Sequence, residues 1–215
     1  MGQKGYFITF EGVDGAGKST HLKAAQEVLE ARGYETLALR EPGGTAMGEA
    51  IRSLVLDPAY GDTAAETELL LMCAARAQLV RTVIKPALEE GKAVLCDRFT
   101  DSTIAYQGYG RGLDLTRIGQ VLEIATDGLR PDRTILLDAD PEAITHRRKG
   151  RPDRIEEEDL DFQSKVRDGF LAAAADQPKR VRLLDASRDV SEISDEIASI
   201  IKEDIEDETD LRHRS

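Results

Sequence analysis

With 215 residues, 40% hydrophobic and 33% charged, and a net charge of -12, the chain suffices for one α/β domain with a sizeable core and is too acidic to track nucleic acid phosphates along a broad face. No run approaches the roughly 18 apolar residues of a membrane span, and strand-like residues and a glycine-rich loop stand at the start of the chain where a signal peptide would lie, so a cytoplasmic protein with no membrane or nucleic acid partner is expected. Cys73 and Cys96 lack C-x-x-C spacing and histidine companions, which favours reduced, buried thiols over a disulfide or a metal site.

The first predicted element is an apolar, β-branched strand at 7–10. It runs into Gly12-Val13-Asp14-Gly15-Ala16-Gly17-Lys18-Ser19, a G-x-x-x-x-G-K-S loop, and then into a helical pattern over 18–32 with Leu22, Ala25, Val28 and Leu29 on one face. Strand, glycine loop and helix in that order are the setting a phosphate loop requires. Gly12, Gly15 and Gly17 permit the turns that aim successive N–H groups inward, and the start of the helix points its positive end at an anion. Lys18 supplies a mobile cation, Ser19 a hard oxygen for Mg²⁺ bridging the β- and γ-phosphates, and Thr20 follows in the first helical turn. Gly12 through Thr20 is therefore expected to hold ATP with Mg²⁺.

Further strands are predicted at 36–39, 93–96, 134–137 and 181–184. Between them lie helical patterns at 46–56, 67–90 with Pro86 interrupting, 115–126, 141–149 and 160–175, and a last one at 190–205. Gly33, Gly91 and Gly128 stand where helices should end. Strands alternating with helices predict a parallel five-stranded sheet with crossover helices, in a single domain spanning 1–215. Residues 204–215 are highly charged and are expected to form a frayed helix end running into a disordered tail.

A phosphate loop alone does not separate kinases from switches and motors. The chain contains no asparagine and no T-K-x-D, so the N-K-x-D element that reads guanine in regulatory GTPases is absent. Asp97-Arg98-Phe99 follows the run 93–96, at the edge where a parallel sheet presents functional groups. There Asp97 would face the Mg²⁺ opposite Ser19 and Arg98 would face phosphate; alternatively the two close the strand as an ion pair. The run His146-Arg147-Arg148-Lys149-Gly150-Arg151-Pro152-Asp153-Arg154 reads as a closing lid over about 146–156, the alternative being a solvated basic loop.

Glu41-Pro42-Gly43-Gly44-Thr45 after the second strand, Asp97-Arg98-Phe99 after the third and Ala105-Tyr106-Gln107-Gly108 soon afterwards resemble bacterial thymidylate kinases. The match continues through Arg130-Pro131-Asp132 to Asp153-Arg154-Ile155-Glu156, covering nearly the whole chain. The resemblance implies a three-layer P-loop fold like that of nucleoside monophosphate kinases, a homodimer, and transfer of the γ-phosphoryl of ATP to dTMP. It implies, with Glu41 nearby, that Arg52, Arg76 and Arg98 gather around the acceptor phosphate and base edge. Thr103 and Gln107 would bond the polar edge of thymine, and Asp14 the sugar 3′-OH. Tyr106 would either pack in the core or line the pocket. Where relatives commonly carry Phe this chain has Met72, a soft cover for the ring, with Phe99 the nearest aromatic substitute. Some relatives carry an arginine in the phosphate loop where Gly15 stands here, and others supply the catalytic cation from the lid. Gly15 places this chain with the second kind, so Arg147, Arg148, Lys149 or Arg151 is expected to meet the transferring phosphoryl. A rival reading is a slow nucleotide-dependent switch, against which the acceptor-side arginines and lid cations argue. Another is a kinase of a different monophosphate.

Overall fold

The computed structural model describes the backbone of residues 4–144 and 152–213, and side chains as far as 206. Five strands, β1 (Tyr6–Glu11), β2 (Thr36–Arg40), β3 (Ala93–Asp97), β4 (Arg133–Asp138) and β5 (Val181–Asp185), form one sheet in the order β2-β3-β1-β4-β5. Every neighbouring pair is parallel. β1 and β3 are central and covered on both faces, which is why they read as unbroken apolar runs rather than alternating ones.

The period-two alternation of a strand divides their side chains between two cores. Tyr6, Ile8, Phe10, Ala93 and Leu95 enter one, with Leu22, Ala25 and Leu29 of α1 (Lys18–Glu30) and Ile193 and Ile197 of a C-terminal helix. Phe7, Val94 and Cys96 enter the other, with Leu79, Val80 and Ile84. Both cysteines are buried free thiols, as expected.

Besides α1, the helices among the described residues are α2 (Ala46–Leu56), α3 (Ala65–Leu79), α4 (Lys85–Glu89), α5 (Thr100–Thr103), α6 (Leu115–Thr126), α7 (Pro141–Ile144), α8 (Leu160–Asp176) and α9 (Val190–His213). The helical pattern predicted over 67–90 with Pro86 interrupting is α3 and α4 joined by a π turn at Val80–Ile84, and Pro86 itself lies within α4. Pro86 lacks an N–H and its ring crowds the carbonyl four residues back, and the backbone widens in the turn before it. Another π turn, Ile104–Gly110, continues α5. The predicted helix at 141–149 is described as far as Ile144.

Helical backbone, for which the sequence pattern runs to 205, continues through His213. Asp204 anchors this stretch to the sheet, accepting from Tyr6 Oη at 2.6 Å and from Arg133 Nε at 2.9 Å. One turn spacing also pairs Lys202 with Glu206 on the exposed face.

What the fold positions is one sheet edge. Phe10 pairs with Asp97 across β1 and β3, and Arg40 with Asp97 across β2 and β3, so the three strands end level. The loop after β1, Glu41 after β2, and Arg98 after β3 therefore converge at the carboxyl edge, where open parallel sheets bind ligands.

Candidate active site

The loop between β1 and α1 takes the backbone its glycines allow: φ is 133° at Gly12, 93° at Gly15 and 95° at Gly17. A Cβ at Gly12 would collide with the carbonyl oxygen of Leu137, so this position needs glycine for space as well as for dihedral. Lys18 is buried, its Nζ donating to the carbonyls of Gly12 at 3.0 Å and Val13 at 3.1 Å. Burial first, and the neighbouring Arg98 charge second, hold its pKa below the ordinary lysine range. Ser19 Oγ donates to Asp97 Oδ2 at 3.3 Å, while Asp97 Oδ1 is buried with no partner among the described residues. Asp14, Gly15, Gly17, Thr20 and Arg40 line the groove that this loop and Asp97 enclose.

Arg98 joins this groove to a second pocket. Its Nη1 donates to Gly12 O and to Ser102 Oγ, each at 3.1 Å, and its Nη2 to Asp14 Oδ1 at 2.6 Å and Tyr106 Oη at 3.1 Å. The Tyr106 hydroxyl donates in turn to Asp14 Oδ2 at 3.2 Å, and the guanidinium lies 5.0 Å from the tyrosine ring centre. Burial opposes the charge on Arg98, but Asp14, Tyr106, Asp97 and Glu11 around it raise its pKa well above the ordinary arginine value. Its φ of 72° lies in the left-handed region that arginine seldom adopts.

Glu11, which the sequence reading passed over, supports this corner from beneath. It accepts from Phe99 N at 2.7 Å and from Ser102 N and Oγ at 3.3 and 2.6 Å. Burial first, then the charge of Asp101, push its carboxyl up to about 7. A carboxylate closing an apolar strand directly before a phosphate loop was the available signal.

Asp14, Glu41, Arg52, Met72, Arg76 and Arg98 come together around the second pocket, and Thr103, Tyr106 and Gln107 line it too. Arg76 is almost fully buried: Nε donates to Glu41 Oε2 at 2.6 Å, Nη1 to Thr103 Oγ1 at 2.9 Å and Nη2 to Phe99 O at 2.9 Å. Arg52 donates to the carbonyl of Pro42 at 3.1 Å. Tyr106 meets both alternatives, its ring packing on Phe162 and Phe170 and its hydroxyl facing the pocket. Thr103, the last residue of α5, and Gln107, inside the π turn that follows, both line this pocket.

Phe99 is a correction. Its ring is fully buried, edge-on to Phe7 at 5.1 Å and 5.2 Å from the Arg76 guanidinium, in the core behind the pocket. A residue at the end of a strand that feeds a packed helix points into the sheet's own core, and here Phe99 supports Arg76 rather than reaching a ligand. Met72, Leu56 and Ile155 supply the apolar lining.

Arg147, Arg148, Lys149 and Arg151 lie outside the described residues, as does most of the predicted lid. Its C-terminal part is pinned. Arg154, the last cation of the basic run, is buried and donates to Val55 O at 2.8 Å and Glu68 Oε2 at 2.6 Å. Glu68 also takes Gln107 Nε2 at 2.8 Å and Arg111 Nη2 at 3.1 Å. Burial works against the charge on Glu68, yet these donors together keep its pKa below the ordinary carboxylate range. The sequence gives no sign of this hub.

Residues 10–197 match the family model described as thymidylate kinase. A thymidylate kinase of Pelotomaculum thermopropionicum is 54% identical over 188 residues, 86% of this chain and 87% of that protein. One of Deinococcus radiodurans is 48% identical over 202 residues, 93% of this chain and 98% of that protein. The crystal structure of thymidylate kinase from Ehrlichia chaffeensis superposes with a TM-score of 0.71 at 37% identity, covering 84% of this chain and 93% of that one. With its phosphate loop, its parallel sheet and a second pocket joined at Arg98, the chain belongs to the thymidylate kinase family.

Proposed function

We propose that this protein transfers the γ-phosphoryl group of ATP to dTMP, giving dTDP and ADP. The observation that carries this reading is the meeting of two pockets: Asp14, Glu41, Arg52 and Arg98 line both the phosphate-loop groove and the acceptor pocket. Phosphoryl transfer asks little covalent help from a protein. It asks that two anionic groups be held in line while cations offset their repulsion. A switch needs no second pocket of this kind.

Within this proposal the nest of Gly12 to Gly17 and Lys18 hold the ATP phosphates. Arg98 and Arg52 face the acceptor phosphate, Asp14 and Tyr106 the sugar, and Met72 the face of the base. Mg²⁺ fits the residues present, because Ser19 offers a hydroxyl and Asp97 a buried carboxylate oxygen with no partner among the described residues. When bound, Mg²⁺ would neutralise charge on the β- and γ-phosphate oxygens. Ser19 and Asp97 would be its ligands.

Thr103 and Gln107 are read as the groups that contact the base edge. A wrong edge leaves such polar groups unpaired at roughly 1 to 3 kcal/mol each, so dCMP should be a poor acceptor. dUMP keeps the hydrogen-bonding edge and loses only a methyl group, worth about 1 kcal/mol. The expected order in steady-state assays with Mg-ATP is dTMP, then dUMP, then dCMP, with AMP and GMP negligible. Equal turnover of dCMP and dTMP would refute this assignment.

The catalytic cation is assigned to the lid. At least one of Arg147→Ala, Lys149→Ala and Arg151→Ala should lower kcat by about tenfold or more with little change in KM for dTMP. All three, and the triple variant, remaining within about twofold would reduce the segment to a solvated loop.

Homodimerisation and a cytoplasmic location belong to the same proposal. Leu70 on α3 is 58% exposed and Ile124 on α6 is 73% exposed, an apolar surplus that makes these two helices candidates for a two-fold interface. Light scattering at micromolar concentration should give twice the chain mass, and a monomer would count against the interface. No described helix is long and apolar enough to cross a membrane.

A further inference from the structure

Two side chains on the acceptor pocket wall have their hydrogen-bonding polarity set from behind. Thr103 Oγ1 accepts from Arg76 Nη1 at 2.9 Å. Arginine only donates, so the hydroxyl hydrogen of Thr103 is left for the pocket. Gln107 is the mirror case. Its Nε2 donates to Glu68 Oε1 at 2.8 Å, and an ionised carboxylate only accepts, so the nitrogen end of this amide must face Glu68 and the oxygen end must face away. Gln107 Oε1 accepts no hydrogen bond from the described residues, and Gln107 lines the pocket. The wall thus offers one donor and one acceptor in a defined order.

That order matches the imide edge of thymine or uracil, in which a ring N–H donor lies beside a carbonyl acceptor. Cytosine reverses it, with a ring nitrogen lone pair beside an amino group. If the amide of Gln107 were free to turn over, the same side chain would accommodate either base. It is held in one sense by a residue that lines no part of the pocket.

We infer that Glu68 determines the base specificity of the acceptor site by locking the Gln107 amide with its oxygen toward the base. The inference deepens the proposed function and rests on it. Glu68 is a positioning residue: its carboxylate is saturated by Gln107, Arg111 Nη2 at 3.1 Å and Arg154 Nη2 at 2.6 Å, and it acts on the base only through Gln107.

Glu68→Gln alone would strand the buried Arg154 charge, so the informative variant is Glu68→Gln combined with Arg154→Met, set against Arg154→Met alone. Arg111 keeps Glu158 as a partner in both, so no cation is orphaned. The readouts are kcat and KM for dTMP and dCMP, dissociation constants by calorimetry, and the thermal midpoint. Arg154→Met should keep the ratio of kcat/KM for dTMP over dCMP within about threefold of the unaltered protein while melting lower. In the double variant that ratio should fall by about tenfold or more through KM, with kcat for dTMP changed by less than about threefold. An equal ratio in the two variants would overturn the inference and leave Glu68 a structural clamp. Failure of the unaltered protein to turn over dTMP would instead overturn the proposed function itself.

Discussion

Lys18→Ala should lower kcat by on the order of 10³ with Mg-ATP and dTMP, because the phosphate loop would lose the side-chain cation that meets the β- and γ-phosphates. In the structure the Lys18 ammonium rests on the carbonyls of Gly12 and Val13, 3.0 and 3.1 Å away, with Asp14 Oδ1 at 3.8 Å. It is thus parked inside the loop. Burial already lowers its pKa, so an incoming polyphosphate offers it a better counter-charge than the loop carbonyls do. Ser19→Ala is the gentler companion: it removes the hydroxyl beside Asp97 and should raise the Mg²⁺ concentration needed for half-maximal rate. Thermal midpoints measured alongside distinguish lost chemistry from lost folding. Near-unaltered turnover in Lys18→Ala would overturn the reading of the phosphate loop.

The inner strands were legible because burial on both faces leaves a nearly continuous apolar run: Phe7 to Phe10 and Ala93 to Cys96 are fully or almost fully buried. The breaks in the helices were less so. Pro86 announced an interruption, but whether the backbone bends, stops or widens into the π turn at Val80–Ile84 depends on what packs around it. The highly charged C-terminal segment read as tail, since nothing local in it says that Tyr6 and Arg133 wait nearly 200 and 71 positions away to hold Asp204, the separations being 198 and 71. Site residues divide along the same line. Local spacing nominates the glycine loop, Asp97 and Arg98, and the resemblance nominates Arg52, Arg76, Thr103 and Gln107. Neither nominates Glu68, because a glutamate on a helix looks alike in sequence whether it faces solvent or three donors. Its partners stand 39, 43 and 86 positions off. Phe99 failed for the converse reason: an aromatic beside functional residues was read as functional, and the fold sends its ring into the core.

Arg98→Ala should reduce kcat by on the order of 10² to 10³ if its guanidinium bridges donor and acceptor phosphates in the transition state. The competing account is a structural role at the end of β3, filled not by the Asp97–Arg98 pair that the sequence suggested but by other partners: Asp14 at 2.6 Å, Tyr106 at 3.1 Å and Gly12 O at 3.1 Å together satisfy most of the guanidinium. Stability alone therefore does not separate the two accounts. The backbone supplies a way to do so. Arg98 holds a φ of 72°, and alanine would hold that left-handed conformation under strain while glycine would hold it freely, a difference of about 1 kcal/mol. Arg98→Gly should then melt above Arg98→Ala, yet both should share the same loss of kcat, because both lack the charge. Arg98→Lys should fall between them and the unaltered protein, since a point charge cannot span two oxyanions as a planar fork does. If kcat instead follows the thermal midpoint, recovering in the glycine variant, the arginine closes a strand end and the transferring phosphoryl is stabilised elsewhere. If kcat stays low in both while the midpoints differ, the left-handed turn after β3 exists to aim a cation at the line between the two phosphates.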